Sequence, residues 1–306
     1  SRGLAELAAG NWEESEANLD QALKLDPSNA KALYAMGLLR QAQKRIEDAQ
    51  GFFERALAED PDYWDALTEL GAIHYTAGRY KEAQEAFLRT IELRPDSHIG
   101  YRNLGGILML LGDLSGAAAN FQKSLEIRPE AAAYSNLGTL QFFRGLYAES
   151  AAAYEKAIEL GAGDYLIWAN LGDAYRQLPQ SAEKAEDAFQ IAIQKMRELL
   201  EETPEDPTLI VQLAVALAKS GRSQEALQVA ESVPDSAVGG DVQLRYLLLL
   251  TDELAGEREK ALASLGGLLQ AGYPLQMLKN DPELAEIRKD PRYHRIVTRA
   301  AAQDQR

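Results

Sequence analysis

The sequence predicts an all-α fold, an α-solenoid of stacked helix-turn-helix hairpins, and three observations carry that prediction. Pro27, Pro61, Pro95 and Pro129 stand 34 residues apart, and a fixed period of that length marks a repeat architecture. Gly37, Gly71, Gly105, Gly138 and Gly172 form a second column, each preceded by Met36, Leu70, Leu104, Leu137 or Leu171. Between the prolines, apolar residues recur at spacings of three and four, which keeps them on one helical face. The unit from His98 to Pro129 shows the pattern in full. Tyr101, Leu104, Leu108 and Leu111 mark a first helix, Gly112-Asp113 breaks it, and Ala117, Phe121, Leu125 and Ile127 mark a second. Pro129 closes the unit because its ring cannot continue a helix.

The glycine column falls inside the first helices, where Gly costs about 1 kcal/mol relative to Ala. Five in register require a neighbouring helix that presses too closely for a larger side chain. The second helix supplies candidates. Ala49, Ala83 and Ala117, with Ser15 and Ser150, form one small-residue column, and Phe53, Phe87, Phe121, Tyr154 and Phe189 occupy the next turn. The expected packing is small residue against small residue, with the rings filling the remaining space.

This combination of Leu-Gly, small residue, aromatic residue and proline resembles the tetratricopeptide repeat family over most of the chain. The resemblance implies a right-handed superhelix and, by register, eight repeats. The first begins partway through its first helix, with Gly3, Gly10, Trp12, Leu19, Ala22 and Pro27 in place, so its apolar edge calls for an upstream neighbour. The fifth is one residue short, and Gly161-Ala162-Gly163 replaces its closing proline turn. In the sixth, Pro179 and Gln180 enlarge the turn after Trp168, Leu171, Gly172 and Tyr175. Ala185, Phe189, Ala192, Ile193, Met196 and Leu200 then keep helical spacing, which predicts a second helix from Ser181 past Leu200, longer than usual by about two turns, or on the order of 12 Å. Thr203-Pro204-Glu205-Asp206-Pro207 reads as a joint.

The expected organisation therefore has three parts. Residues 1–202 hold repeats one to six. Residues 203–271 hold two degenerate repeats, which keep Leu213-Ala214, Gly221 and Ala226, then Leu248, Gly256, Ala261 and Leu265. Residues 272–306 form a C-terminal cap, in which Asp281-Pro282 and Asp290-Pro291 each set an Asp cap before Pro at the first helical position. The tail and the sixth-repeat insertion also resemble the ends of repeat regions that bacterial signalling proteins carry behind a Ser/Thr kinase or winged-helix domain.

A chain of 306 residues with 46% hydrophobic and 26% charged residues can bury a sizeable core. A net charge of −15 argues against binding a phosphate backbone, which needs clustered Lys and Arg, so no nucleic acid is expected. Apolar runs such as Ile107 to Leu111 fall far short of the ~20 residues that span a bilayer, so no membrane insertion is expected. The absence of cysteine excludes disulfides, thiolate metal sites and cysteine nucleophiles, and leaves the redox compartment open. Localisation is left undetermined, with the cytoplasm favoured over export.

No catalytic constellation survives inspection, and no cofactor is expected. His74, His98 and His294 lack zinc-site spacing. Ser181-Ala182-Glu183-Lys184 matches a Ser-x-x-Lys nucleophile pattern, but it stands where a helix must begin and Ser is a preferred cap. Asp60, Asp62 and Asp65 open like a calcium loop, yet Leu67 and Thr68 replace its glycine turn and later ligands. Gly161-Ala162-Gly163 has no preceding strand, so it is no dinucleotide fingerprint.

What remains is a surface. Stacked hairpins curl so that their first helices line a concave face. Asn103, Asn136 and Asn170, drawn from only eight asparagines, each precede a Leu-Gly pair on that face. A side-chain amide both donates and accepts, so it can pair with the N–H and C=O of an extended chain laid along the groove. Asparagine is also common at this position in the family, so the alternative readings of the column are inherited background or local packing. Around it lie Ile99, Arg102, Met109, Ser135, Thr139, Phe142, Asp173 and Arg176. Arg102 and Arg176 could pair with a ligand carboxylate or stay solvated. Phe142-Phe143 offers one ring for a ligand pocket or two for the core. Asp65 and Glu69 beside Tyr75 make the earlier groove acidic, which suits a ligand with a basic residue at one end. The family's terminal-carboxylate clamp is not matched, because Lys31, Tyr34, Thr68 and Glu69 do not supply its Lys and Asn.

The function expected is a non-catalytic scaffold for protein–protein interaction that binds an extended peptide or partner segment in the concave groove, centred on repeats four to six. Two alternatives stand beside it. The chain could be the substrate-recruiting region of a larger kinase or glycosyltransferase that precedes Ser1, or a homo-oligomer that assembles through its unfinished first repeat or its long sixth-repeat helix.

Overall fold

The computed structural model describes residues 2–303, and among them helices are the only regular secondary structure. The chain divides into two compact units, Ser1–Leu160 and Gly161–Arg306. In the first unit α1 (Arg2–Ala8) pairs with α2 (Trp12–Leu25), α3 (Ala30–Ala42) with α4 (Ile46–Glu59), and α5 (Trp64–Thr76) with α6 (Tyr80–Leu93). The pairs α7 (His98–Leu110) with α8 (Leu114–Ile127) and α9 (Ala131–Phe143) with α10 (Tyr147–Glu159) complete it. Each second helix packs on the first helix of the following hairpin. First helices also touch their successors, α1 with α3, α5 with α7 and α7 with α9, which sets them on the inner side of the stack.

The second unit begins with α11 (Tyr165–Arg176) against α12 (Ala182–Glu202) and continues with α13 (Pro207–Lys219) against α14 (Ser223–Glu231). A short α15 (Asp235–Val238) leads to α16 (Val242–Ala255), which pairs with α17 (Arg258–Gln270). The end comprises α18 (Leu275–Asn280), single 3₁₀ turns at Pro282–Leu284 and Ile287–Lys289, and α19 (Pro291–Gln303). Eight hairpins are present among the described residues, as the register expects, and the fold is the all-α repeat stack that the sequence predicts.

One contact closes each of the first six hairpins, and it refines the expected packing. The helical glycine faces the ring on its own second helix rather than the small-residue column. A methyl group on Gly71 or Gly105 would stand 2.7 Å from the ring of Phe87 or Phe121, and one on Gly138 or Gly172 would stand 2.9 Å from Tyr154 or Phe189. Gly37 meets Phe53 still more closely, and in the first hairpin Gly3 meets Leu19 at 2.7 Å. These rings are fully buried or nearly so. The small residue one turn earlier lies against the glycine's backbone. Ser15 Oγ donates to the carbonyl of Gly3 and Ser150 Oγ to that of Gly138, each at 2.8 Å, while Ala49, Ala83 and Ala117 are completely buried at the same place.

Between the helices of a hairpin the chain turns through one left-handed residue, a conformation that L side chains adopt only at a cost. Gly10, Gly78, Gly112 and Gly145 take it with φ of 79°, 72°, 85° and 74°. Lys44 holds the same position in the second hairpin with φ 61°, and Gln180 in the enlarged sixth turn with φ 64°.

The lengthened sixth-repeat helix is present as α12, which has 21 residues. Leu200 in its added turns packs against the cluster of Ile210, Val211, Val233 and Leu244. The joint expected at Thr203–Pro207 therefore lies inside the second unit, and the division falls instead at Gly161, where the glycine-rich turn replaces proline. Ser181 occupies the position before α12, but its side chain makes no cap bond, so the capping role expected for its hydroxyl is not realised. Asp206 does cap α13, accepting from the N–H groups of Thr208 and Leu209.

Lacking the glycine seat, the last two hairpins pack through aliphatic side chains. Nine residues of α13, from Leu209 to Ala218, are buried, as befits a helix apolar on nearly every side. The C-terminal segment covers the final hairpin with Leu278, Leu284, Ile287 and Tyr293, which bury against Leu249, Leu250, Leu262 and Leu265. Its two Asp-Pro starts behave as expected, with Asp281 accepting from the N–H of Glu283 at 2.9 Å and Asp290 from that of Arg292 at 2.8 Å. Residues 304–306 of the expected cap lie outside the described residues.

Two stability measurements follow from this packing. Gly105→Ala should lower stability by about 2 kcal/mol through overpacking, whereas Gly106→Ala, where a methyl would meet nothing within 4 Å, should raise it by up to ~1 kcal/mol. Thermal melting of the two adjacent substitutions should therefore shift in opposite directions. Lys44→Gly, which relieves a left-handed lysine, should raise stability by about 1 kcal/mol in the same assay.

Candidate functional site

The candidate site lies on the inner side of the hairpins, where side chains of successive first helices meet. Repeat register places Glu69, Asn103, Asn136 and Asn170 at equivalent positions of α5, α7, α9 and α11. All four are partly buried, with a remaining share open to solvent. Asn136 and Asn170 make no side-chain hydrogen bond among the described residues. Asn103 differs, since its Oδ1 accepts from Nε and Nη2 of Arg102 at 3.3 and 3.2 Å, leaving its amide N–H groups uncommitted.

The arginines expected to meet a ligand carboxylate are held by carboxylates of the chain itself. Arg102 donates to Glu130 Oε1 at 2.7 Å, and His98 Nε2 lies 3.4 Å from the other oxygen of Glu130. Glu130 is the residue immediately before α9, so this pair ties successive first helices together. In the second unit Arg176 donates to both oxygens of Glu283 at 3.0 and 3.3 Å. Lys219 donates to both oxygens of Asp173 at 2.7 Å and stands 3.7 Å from Glu283. Burial pushes the Asp173 carboxyl up despite the pull of the Lys219 ammonium. Asp173 and Arg176 thus anchor the C-terminal segment to the inner side of α11 and α13.

The apolar candidates divide between core and surface. Met109 packs against the cluster of Ala117, Phe121 and Leu140. Phe142 is partly buried, edge-on to Tyr147 with centroids 5.3 Å apart, and it is Phe143 that stands out at 66% exposure. Thr139 Oγ1 lies 2.9 Å from the hydroxyl of Tyr154 and 3.2 Å from the carbonyl of Ser135, which ties it to its own hairpin. An exposed edge follows the C-terminal ends of three first helices, with Tyr75 at 45%, Leu110 at 49% and Phe143. Of the pair Phe142-Phe143, offered by the sequence as a source of one exposed ring, Phe143 is the exposed member; Leu110 escaped sequence reasoning, although it sits at the same position of its repeat, one residue beyond the last inward one.

The acidic end of this face lies between α3 and α5. Burial raises the carboxyl groups of Asp65 and Glu69 above their usual range, Asp65 against the pull of Arg94 and Glu69 against a hydrogen bond from the side-chain amide of Gln41. Neither forms a salt bridge among the described residues. Arg94 is turned to Asp96 and lies 4.5 Å over the Trp64 ring. Among the described residues there is no group of His, Cys, Asp and Glu that could hold a metal ion, and no helix is long and apolar enough to cross a membrane.

Comparison with known proteins places these features in context. Family models described as tetratricopeptide repeat match residues 40–106, and also residues 1–63 and 135–195. Among curated proteins no sequence matches the chain. The fold is similar to that of PilF of Pseudomonas aeruginosa, at 23% identity over 66% of this chain and 89% of that one, with a TM-score of 0.55. It is similar to a structure of the APC/C hetero-tetramer Cut9-Hcn1, at 19% identity over 86% of this chain and 48% of that one, with a TM-score of 0.61. PilW, a type IV pilus biogenesis factor, aligns at 20% identity over 66% of this chain and 90% of its own, with a TM-score of 0.53.

Two outcomes test the electrostatics. Lys219→Met should destabilise the second unit by about 3 kcal/mol, because it strands a buried carboxylate pair, and adding Asp173→Leu should restore much of the loss in thermal melts. A carboxyl group whose pKa is raised by folding stabilises the native state only at low pH, and that contribution is lost as pH rises through the raised value. Glu69→Gln should therefore raise the melting temperature at neutral pH, with the gain shrinking as the pH falls through the ordinary glutamate range.

Proposed function

The chain belongs to the tetratricopeptide repeat family of protein-interaction scaffolds, and from that premise we propose that it is a non-catalytic adaptor that captures an extended peptide segment of a protein partner on the inner face of its first helices. The observation that carries this reading is the asparagine column. Asn136 and Asn170 retain both amide functions, and Asn103 retains its N–H groups while Arg102 occupies its oxygen. A partly buried amide without an internal partner is matched by the alternating N–H and C=O groups of an extended backbone, which carry no side-chain information. Capture of that kind tolerates many sequences, and selectivity then comes from the side chains beside the column.

The distribution of charge supports the same reading. Arg102 and Arg176, the cations nearest the asparagines, are neutralised within the fold by Glu130 and Glu283. What they leave around Asn103 and Asn136 is uncharged and partly apolar, with Met109, Phe142 and Phe143 on the same two helices. Such a surface favours backbone pairing and apolar contact over binding to a charged group.

The test is replacement of Asn103 and Asn136, the two asparagines of the first unit, by Ala together, with binding measured against peptides selected on the unmodified chain from a random display library, and of Asn170 by Ala in a separate variant. If each amide contributes about 1 kcal/mol, affinity should fall roughly thirtyfold in the double variant. An unchanged dissociation constant in a double variant that keeps its helical spectrum and melting temperature would contradict the assignment.

A further inference from the structure

The inner face of the first unit changes character from one helix to the next, and the change has a direction. On α5 it carries Asp65 and Glu69, neither in a salt bridge among the described residues. On α7 and α9 it carries the uncharged Asn103, Asn136, Ser135 and Thr139, with Met109 and Phe142 beyond them and Leu110 and Phe143 exposed at the edge.

The acidic end has no ion pair among the described residues, and the groups beside its carboxylates are the phenols of Tyr34 and Tyr63 and the amide of Gln41. Gln41, on the neighbouring α3, directs its amide N–H at Glu69, and its own Oε1 is fully buried and accepts no hydrogen bond. Exchanging the amide's two ends would not help, since oxygen would then face carboxylate. The acidic end therefore sets two carboxylates without an ion pair beside one buried, unpaired carbonyl oxygen. A buried acceptor left unpaired is unfavourable, and so is a partly buried carboxylate without a cation. The nearby Arg94 offsets this only in part, because its guanidinium is hydrogen-bonded to Asp96 rather than to Asp65.

We propose that the partner segment carries a lysine or arginine side chain that seats at the acidic end formed by Gln41, Asp65 and Glu69, and that the residues following it along the groove are uncharged, with large apolar side chains over Met109, Leu110, Phe142 and Phe143. This rests on the groove reading above and adds a chemistry and a polarity to it. An ammonium or guanidinium group brings several donors together with the positive charge that Asp65 and Glu69 do not find in an ion pair of the chain itself. Along α7 and α9 a second charge would find only amides, hydroxyls and apolar side chains, since Arg102 is already paired with Glu130.

Fluorescence anisotropy with three labelled synthetic peptides tests the inference. All share an uncharged body with phenylalanine and leucine at one end, and the other end carries lysines, acetyl-lysines or glutamates. The lysine peptide should bind the full chain at least about tenfold more tightly than the other two, and the difference should vanish in the Asp65→Asn, Glu69→Gln double variant. That variant removes unfavourable buried charges, so it should fold at least as well as the parent, and its melting temperature checks this. Equal binding of the three peptides, or discrimination that survives the double substitution, would overturn the basic-residue inference and leave groove binding standing. Binding of none of the three would count against both readings.

Discussion

The structure depends on the seat of an aromatic ring against a helical glycine. In five successive hairpins the first helix gives up a side chain so that a ring from the second can lie on its backbone, at a separation no Cβ could tolerate. The contact fixes how closely the two helices approach, and the small residue one turn earlier fixes the same approach from the other side. Because every hairpin is closed internally in this way, its remaining face is free to pack on the next hairpin. The outcome is a stack in which first helices meet first helices and present a surface that the closure of the hairpins does not constrain.

Where the seat is absent the packing changes. The first helix of the seventh hairpin has no glycine to receive a ring, and it buries nine residues among aliphatic neighbours instead. The long α12 contributes its added turn to that cluster through Leu200, and the C-terminal segment contributes Leu284, Ile287 and Tyr293 to the next one. The end of the chain is thus held by general hydrophobic burial and by a four-charge cluster of Asp173, Arg176, Lys219 and Glu283, whose attraction strengthens as water is excluded.

Much of this was legible in the sequence, and the reason is periodicity. A helical repeat imposes the same steric demand every 34 residues, so the glycines, rings and prolines recur and identify the fold, the number of hairpins and the lengthened α12. The choice of ring over small residue as the glycine's neighbour was not legible, because the two columns lie one turn apart on the same helix face and periodicity cannot rank them. The ion pairs were illegible for a different reason. Arg102 and Glu130 are 28 residues apart, and Arg176 and Glu283 are 107 apart; each occurs once, so no recurring pattern announces it. Those pairs change the reading of the site, since two arginines that looked available to a ligand are satisfied by the fold. Ser181 illustrates the limit of local rules: it stands where a cap belongs, but the enlarged turn that begins α12 leaves its hydroxyl without the expected bond.

The inner face that results is selective by omission. With Arg102 neutralised by Glu130, the first unit offers uncommitted amides, an apolar edge and an acidic end, a combination suited to a polypeptide laid along its first helices. Hydrogen–deuterium exchange of the full chain, with and without the lysine-bearing peptide, examines this most directly. The account predicts slowed exchange confined to the first helices α3, α5, α7 and α9 in the first unit, with α4, α6 and α8 unchanged. Protection on the second helices instead, or none on the first helices of a peptide-saturated chain, would contradict it.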